Sequence, residues 1–261
     1  MEQYYEPIRL LAALGFTGLL VMLRLEADRF GAAEYAEIDR YGRRAPLGRR
    51  LAWYSVGLGL VAATWLIVPD PSSQLYVTLG DRAQAVTVGL IYGGIGVAQA
   101  VAFAMLRYRH LRFPAPGSYP VALLNSVGTA FIDEATFRGA ILGFLLLIGV
   151  EPGLAIVVQA VGYGLVTRLG APGRDKYLLI MSVAIGLASG YVTLRTGGIG
   201  AAFLGHSITR FATFVATGHT GQPAPVGREV EEIEKKRQIP DGWSTVGTSR
   251  ESIDPKGRGP S

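Results

Sequence analysis

Residues 83–106 read AQAVTVGLIYGGIGVAQAVAFAML and contain no charged residue. A membrane-spanning α-helix needs about 20 mostly apolar residues, and this stretch is long enough. Its small residues Gly89, Gly93 and Gly94 allow a second helix to pack closely. The stretch therefore predicts a transmembrane helix, and the fold of the chain depends on how often such runs recur.

Six further apolar runs predict six further spans, at 8–23, 51–68, 118–149, 153–167, 177–194 and 199–215. The predicted fold is all-α, a multi-pass bundle of about seven spans that occupies residues 1–217. Residues 118–149 are numerous enough for one long tilted helix or for two short ones. The composition of residues 218–261 is polar and rich in Pro and Gly, which predicts a disordered tail.

The composition supports a membrane protein. Hydrophobic residues make up 49% of the chain and charged residues 17%, whereas soluble domains have about 25% charged residues. The chain has no cysteine, which excludes disulfides, thiolate metal ligands and cysteine nucleophiles. The net charge of +5 comes from Lys and Arg at the ends of apolar runs, as in membrane proteins. We therefore expect membrane lipid, and no nucleic acid, as a partner.

The basic residues also predict an orientation. They concentrate after the first, third and fifth runs, and only Arg9, Arg82 and Arg195 flank the other side. Because cytoplasmic loops carry the excess of Lys and Arg, the N-terminus is predicted outside the cell membrane and the tail in the cytoplasm. The same pattern favours a single crossing by residues 118–149. The segment 24–50 is predicted to lie on the membrane surface.

Five polar residues fall inside predicted spans: Asp133, Glu134, Arg138, His206 and Arg210. A charge in the bilayer costs about 2.5–3.5 kcal/mol on insertion scales, so such residues face the bundle interior. Glu134 and Arg138 share a helix face, whereas Asp133 points about 100° away from Glu134. The spacing predicts a polar cluster between the fourth and seventh spans, with Arg210 paired to one of the acids. Neutralisation alone could also explain such a cluster.

The motif DEATFRG at 133–139 resembles the Glu-Glu-x-x-x-Arg motif of the CAAX-protease and bacteriocin-processing (CPBP, or Abi) family. Downstream, GLASGY at 186–191 and TGGI at 196–199 resemble the glycine-rich helix and Thr-Gly turn of that family. AAFLGH at 201–206 resembles the approach to its last motif, His-x-x-x-Asn. The resemblance covers about 118–215 and rests on the order of these landmarks.

The resemblance implies a glutamate-dependent intramembrane endopeptidase that acts on a membrane protein or peptide. In the family, the first Glu and a His activate a water, and the last His and Asn stabilise the oxyanion. The positions of the family's site residues fall here on Asp133, Glu134, Arg138, Thr167, His206 and Arg210. Thr167 stands at the His of the family's Phe-x-x-x-His motif, which falls on 163–167, and Arg210 stands at the Asn.

These departures leave two hypotheses open. The first is a peptidase with an altered centre, in which Glu134 or Asp133 is the base and His206 with Arg210 stabilises the oxyanion. The second is an inactive family member that serves as a membrane scaffold, immunity factor or partner-binding protein. The resemblance also implies zinc, but one histidine and two carboxylates on separate faces do not predict a zinc site, so no cofactor is expected. A transporter is disfavoured because no repeat or broken-helix pair is evident.

Overall fold

The computed structural model describes residues 2–32, 47–111, 113–114, 116–170 and 177–217. All regular structure within these ranges is helical, which confirms the all-α prediction. The helices are α1 (Glu2–Leu25), α2 (Leu47–Ile67), α3 (Pro71–Gln74), α4 (Arg82–Tyr108), α5 (Tyr119–Glu134), α6 (Leu142–Leu147), α7 (Pro152–Leu169), α8 (Tyr177–Thr196) and α9 (Gly200–Thr217), with a 3-10 turn at Pro116–Ser118. The predicted tail, 218–261, lies outside the described residues.

Five of the described helices are long and apolar enough to cross a membrane, namely α1, α2, α4, α7 and α8. The other two predicted spans are the helical run 119–147 and α9. The α-helix at the start of the run 119–147, α5, is only 16 residues long. In α9, His206 and Arg210 lower the mean hydropathy of the helix. The helical run 119–147 and α9, which are not among the five long apolar helices, are the two segments that carry the predicted polar cluster.

Residues 119–147 form one continuous helical run, because α5 leads through the π-helical segment Ala135–Ile141 into α6 without a break. The backbone N–H of Leu142 donates to the carbonyl of Phe137, five residues earlier. The π-helical segment begins directly after the Asp133–Glu134 pair. Since π-helical turns are rare and frequently mark functional sites, this position is a structural indication of function.

A non-helical segment, 75–80, links the π-helical segment to the turn between α8 and α9. The Tyr76 N–H donates to the carbonyl of Gly139 at 3.2 Å, and the Ile199 N–H donates to the carbonyls of Tyr76 and Thr78 at 3.1 and 2.9 Å. A Cβ at Gly139 would collide with the Val77 side chain. The missing side chain at Gly139 thus allows segment 75–80 to approach the helix that carries the acid pair.

Close packing of α4 on α9 depends on glycine, as predicted for Gly89 and Gly93. A Cβ at Gly89 would lie 3.0 Å from Leu204, and one at Gly93 would lie 2.6 Å from Ile208. A Cβ at Gly94, by contrast, would meet no atom within 4 Å among the described residues. The contacts at Gly89 and Gly93 hold α9, with His206, against the bundle.

The prediction that the segment starting at Arg24 lies on the membrane surface is wrong at its two ends. Arg24 lies in the last turn of α1, Arg50 lies in the first turn of α2, and both are 2% exposed. For Arg24 the physical reason is an acidic partner inside the bundle, Asp133. Residues 33–46, between the two helices, lie outside the described residues.

Candidate active site

Glu134, the last residue of α5, is held by three side chains at a single carboxylate oxygen. Its Oε1 lies 2.6 Å from His206 Nδ1, 3.2 Å from Ser189 Oγ, which donates to it, and 3.3 Å from Arg138 Nη1. Its Oε2 is buried and accepts no hydrogen bond within the described part of the chain. The carboxylate is therefore fixed through one oxygen, and the second remains available to another donor.

Asp133 faces a different set of helices, as its offset from Glu134 along α5 predicted. Its Oδ1 lies 2.8 Å from Arg24 Nε on α1. Its Oδ2 accepts from the Tyr163 hydroxyl on α7 at 3.4 Å. The two adjacent acids therefore have separate cationic partners, Arg24 for Asp133 and Arg138 for Glu134.

His206 connects the surroundings of the two acids. Its Nδ1 contacts Glu134, and its Nε2 lies 3.4 Å from the Tyr163 hydroxyl, which also contacts Asp133. At the other end, Ser189 lies 3.0 Å from the Tyr92 hydroxyl. The result is one continuous polar network through α1, α5, α7, α9, α8 and α4. Its members in order are Arg24, Asp133, Tyr163, His206, Glu134, Ser189 and Tyr92.

Arg138, in the π-helical segment, is fully buried and packs against an aromatic ring. Its Cζ lies 4.3 Å from the centroid of the Tyr163 ring, in addition to the Glu134 contact. A guanidinium over an aromatic face is attracted by the ring quadrupole. Arg138 therefore neutralises Glu134 and also fixes the ring of Tyr163.

The remaining two predicted site residues, Arg210 and Thr167, are buried near the network. Arg210 Nη2 donates to Asn125 Oδ1 at 3.4 Å, and the pairing of Arg210 with Asp133 or Glu134 stays a prediction. Thr167 lies one turn after Tyr163 on α7, and its Oγ1 makes no hydrogen bond among the residues described. The geometry thus joins Asp133, Glu134 and His206 in the network, and Arg138 is paired with Glu134.

Five polar residues of this region were not predicted as site residues from the sequence. They are Arg24, Tyr92, Asn125, Tyr163 as a hydrogen-bonding group, and Ser189. Asn125 and Ser189 are polar side chains within predicted spans, and that position is itself a signal for an interior contact. Arg24 gave no comparable signal, because arginines at the ends of apolar runs ordinarily set the orientation of a protein in the membrane.

The side chains of the described residues do not fit a metal centre. Among the described residues, no group of three or more His, Asp or Glu side chains could hold a metal ion. The donors nearest to one another, His206 and Glu134, are hydrogen-bonded together, and Asp133 is directed to Arg24. Zinc sites usually have at least three protein ligands, and these side chains do not supply them.

Apolar helices around a buried network of acids, histidine and arginine define a membrane protein with a polar site inside its bundle. Residues 115–212 match the family model of type II CAAX prenyl endopeptidase Rce1-like proteins, a model of the CPBP family. The match confirms the resemblance predicted over 118–215. The matched segment contains all six predicted site residues. Arg24, which pairs with Asp133, lies before it. No curated protein and no solved structure matches the chain.

Proposed function

We propose that the protein is an intramembrane endopeptidase with Glu134 as its general base. The observation that carries this proposal is the asymmetry of the Glu134 carboxylate. Oε1 contacts His206, Ser189 and Arg138, whereas Oε2 has no hydrogen-bond partner among the described side chains. A base must be held in place and still offer one oxygen to the water that it activates.

The reaction is hydrolysis of a peptide bond. Oε2 of Glu134 takes a proton from a water as the water oxygen bonds to the carbonyl carbon. The proton then passes to the amide nitrogen as the C–N bond breaks, and Glu134 returns to its carboxylate form. One water is consumed, and the products are a new carboxyl group and a new amine.

Donors for the developing oxyanion are available on α9 and α7. Negative charge on the carbonyl oxygen is stabilised by fixed N–H and O–H groups in a site without bulk water. His206 Nε2 and the Tyr163 hydroxyl lie together at the centre of the network. Arg210, one turn beyond His206, is the third candidate donor because a guanidinium only donates.

The proposed substrate is a peptide associated with the membrane. Asp133, Glu134, Arg138 and His206 are each at most 1% exposed, so the substrate must reach them from within the bundle. The description of the matched family points to a C-terminal segment near a prenylated cysteine as the first substrate to test.

The second candidate function is that of a scaffold or partner-binding protein without catalysis. One observation favours it, because each acid already has a buried cationic partner, Asp133 at 2.8 Å from Arg24 and Glu134 at 3.3 Å from Arg138. Paired charges need no chemistry to explain their presence in a bundle.

Cleavage by the purified full-length protein in proteoliposomes distinguishes the two functions. The probes are a farnesylated peptide that ends in Cys-aliphatic-aliphatic-X and the same peptide without the lipid, with products read by mass spectrometry. We expect a single cut in the lipidated peptide, lost in Glu134→Gln, which keeps the size of the side chain. Absence of a cut by the wild type in both peptides would support the scaffold.

We also propose that the C-terminal tail is cytoplasmic, on the basis of the excess of Lys and Arg after the first, third and fifth apolar runs. A protease-sensitive tag placed after Ser261 should be cleaved in inside-out vesicles and protected in intact cells. Cleavage of the tag in intact cells would reverse the orientation.

A further inference from the structure

We propose that Tyr163 is a positioning residue that sets the proton on His206 Nε2 by sharing its hydroxyl between His206 and Asp133. The hydroxyl oxygen lies 3.4 Å from His206 Nε2 and 3.4 Å from Asp133 Oδ2. Both distances are long for hydrogen bonds of a hydroxyl group, and they are equal. The hydroxyl is therefore equally distant from two acceptors, His206 Nε2 and Asp133 Oδ2. Because it carries one proton, it can donate to only one of them at a time.

The other contacts of His206 limit where its protons can be. Its Nδ1 lies 2.6 Å from Glu134 Oε1, and an ionised carboxylate only accepts. Nδ1 therefore carries a proton whenever Glu134 is ionised. The protonation state of the imidazole then depends on Nε2 alone, and the group that faces Nε2 is the Tyr163 hydroxyl.

Two arrangements satisfy these contacts. In one, the hydroxyl donates to His206 Nε2, and the imidazole is neutral. In the other, the hydroxyl donates to Asp133 Oδ2, and its oxygen accepts from a protonated Nε2 of an imidazolium. The two arrangements differ by one proton, which Nε2 takes from, or gives back to, solvent water. When Nε2 gains that proton, rotation of the Tyr163 O–H bond toward Asp133 Oδ2 lets the hydroxyl oxygen accept from it, while Nδ1 keeps its contact with Glu134.

Asp133 has its own role in this arrangement. Its Oδ1 is held by Arg24 at 2.8 Å, which leaves Oδ2 facing the hydroxyl. Asp133 thus supplies the second acceptor that makes the rotation possible, whereas Glu134 performs the proposed base chemistry.

The ring of Tyr163 is fixed independently of its hydroxyl. It packs edge-on against Phe137 with ring centroids 5.1 Å apart, and the Arg138 guanidinium lies over its face. Tyr163→Phe therefore removes one oxygen and keeps these contacts, which makes it a specific test of the hydroxyl.

The test measures the ring nitrogens of His206 by NMR in the full-length, detergent-solubilised protein with isotope-labelled histidine. His206→Gln assigns the signals. We expect Tyr163→Phe to shift the Nε2 signal, and Tyr191→Phe, which removes a hydroxyl from a side chain that is 57% exposed, to leave it at the wild-type position. An Nε2 signal that is the same in Tyr163→Phe and in the wild type would overturn the proposal.

A second variant protects the test against misfolding of Tyr163→Phe. Asp133→Asn keeps Tyr163 but replaces the acceptor that competes with His206, so the same Nε2 signal should move. An unmoved signal in Asp133→Asn would contradict the shared hydroxyl.

A kinetic consequence rests on the proposed peptidase function. With the farnesylated peptide, Tyr163→Phe should lower kcat about tenfold, as expected for the loss of one hydrogen bond near the reacting groups, and change KM less than about twofold. A purely structural role would change the two constants together. If the wild type cleaves neither peptide, the peptidase function fails, and the NMR measurement still decides the role of Tyr163.

Discussion

Arg24 Nε lies 2.8 Å from Asp133 Oδ1, and both side chains are buried. Arg24 belongs to α1, which precedes the segment 115–212 that matches the Rce1-like family model. The polar network of that segment therefore includes a cation from a helix outside it. We infer that α1 contributes directly to the stability of the site.

Replacing Arg24 by Met should lower the free energy of unfolding by about 3–5 kcal/mol, because it leaves Asp133 buried without its cation. Thermal unfolding in detergent measures the effect. The matched control is Arg29→Met, since Arg29 pairs with Glu26 at 2.8 Å but its side chain is 80% exposed, and exposed pairs contribute about 0–1 kcal/mol. Adding Asp133→Asn to Arg24→Met should restore part of the loss. Equal melting shifts for Arg24→Met and Arg29→Met would contradict a buried pair.

Arg138→Ala should destabilise the protein more than Thr167→Ala. Removal of Arg138 leaves Glu134 buried without its same-helix cation, at a cost of about 3–5 kcal/mol, and also removes the contact with the Tyr163 ring. The Thr167 hydroxyl makes no hydrogen bond in the described structure, so its loss should cost less than the 0.5–1.5 kcal/mol or so of a typical hydrogen bond. Melting temperatures of the two variants test the order. A shift for Thr167→Ala as large as that for Arg138→Ala would disprove it.

Gly198→Ala should destabilise the turn that positions α9. A Cβ at Gly198 would lie 2.5 Å from both Gly80 N and Thr78 O, and backbone atoms cannot rotate away as a flexible side chain can. We expect a loss of about 1–3 kcal/mol, as for overpacked cores. Gly94→Ala is the control, because no described atom lies within 4 Å of its Cβ position. The unfolding midpoints of the two variants should differ accordingly, and a neutral Gly198→Ala would rule out the close approach of segment 75–80.

Glu151 gives a prediction about pH. It caps α7, and the backbone N–H groups of Gly153 and then Leu154 lower its pKa below the ordinary 4.5. Because the folded-state pKa is the lower one, the stabilisation is fully present above the ordinary value and is lost as the pH falls through the folded-state pKa. Glu151→Gln removes the charge but keeps an acceptor, so it should lower the melting temperature at neutral pH. The difference from the wild type should vanish in strongly acidic buffer, and a constant difference down to the acid limit would exclude the charge effect.

The sequence predicts the all-helical class and the acid-containing helix well, because both depend on local patterns. Apolar runs define the helices, and Asp133, Glu134 and Arg138 are visible as charges within one of them. The pairing of Glu134 with His206 could also be expected, since polar residues within spans face one another.

The partners of Asp133 could not be predicted in the same way. The arginine that pairs with Asp133 is Arg24, on a helix far earlier in the chain. Because Arg24 lies at the end of an apolar run, the sequence indicated only that it helps to orient the chain in the membrane. Nor does any residue pattern mark the π-helical segment 135–141, which contacts segment 75–80 at Gly139. Such features arise from tertiary packing, which local propensity does not encode.

The proposed general base is Glu134 and not Asp133. Cleavage rates of the farnesylated peptide by Glu134→Gln and Asp133→Asn, measured side by side in proteoliposomes at matched folded protein, test this assignment most directly. We predict that Glu134→Gln lowers kcat by at least about 100-fold, the lower end of what a general base contributes, and that Asp133→Asn lowers it about tenfold, as for one lost hydrogen bond. Cleavage that survives in Glu134→Gln and disappears in Asp133→Asn would contradict the account and assign the base to Asp133.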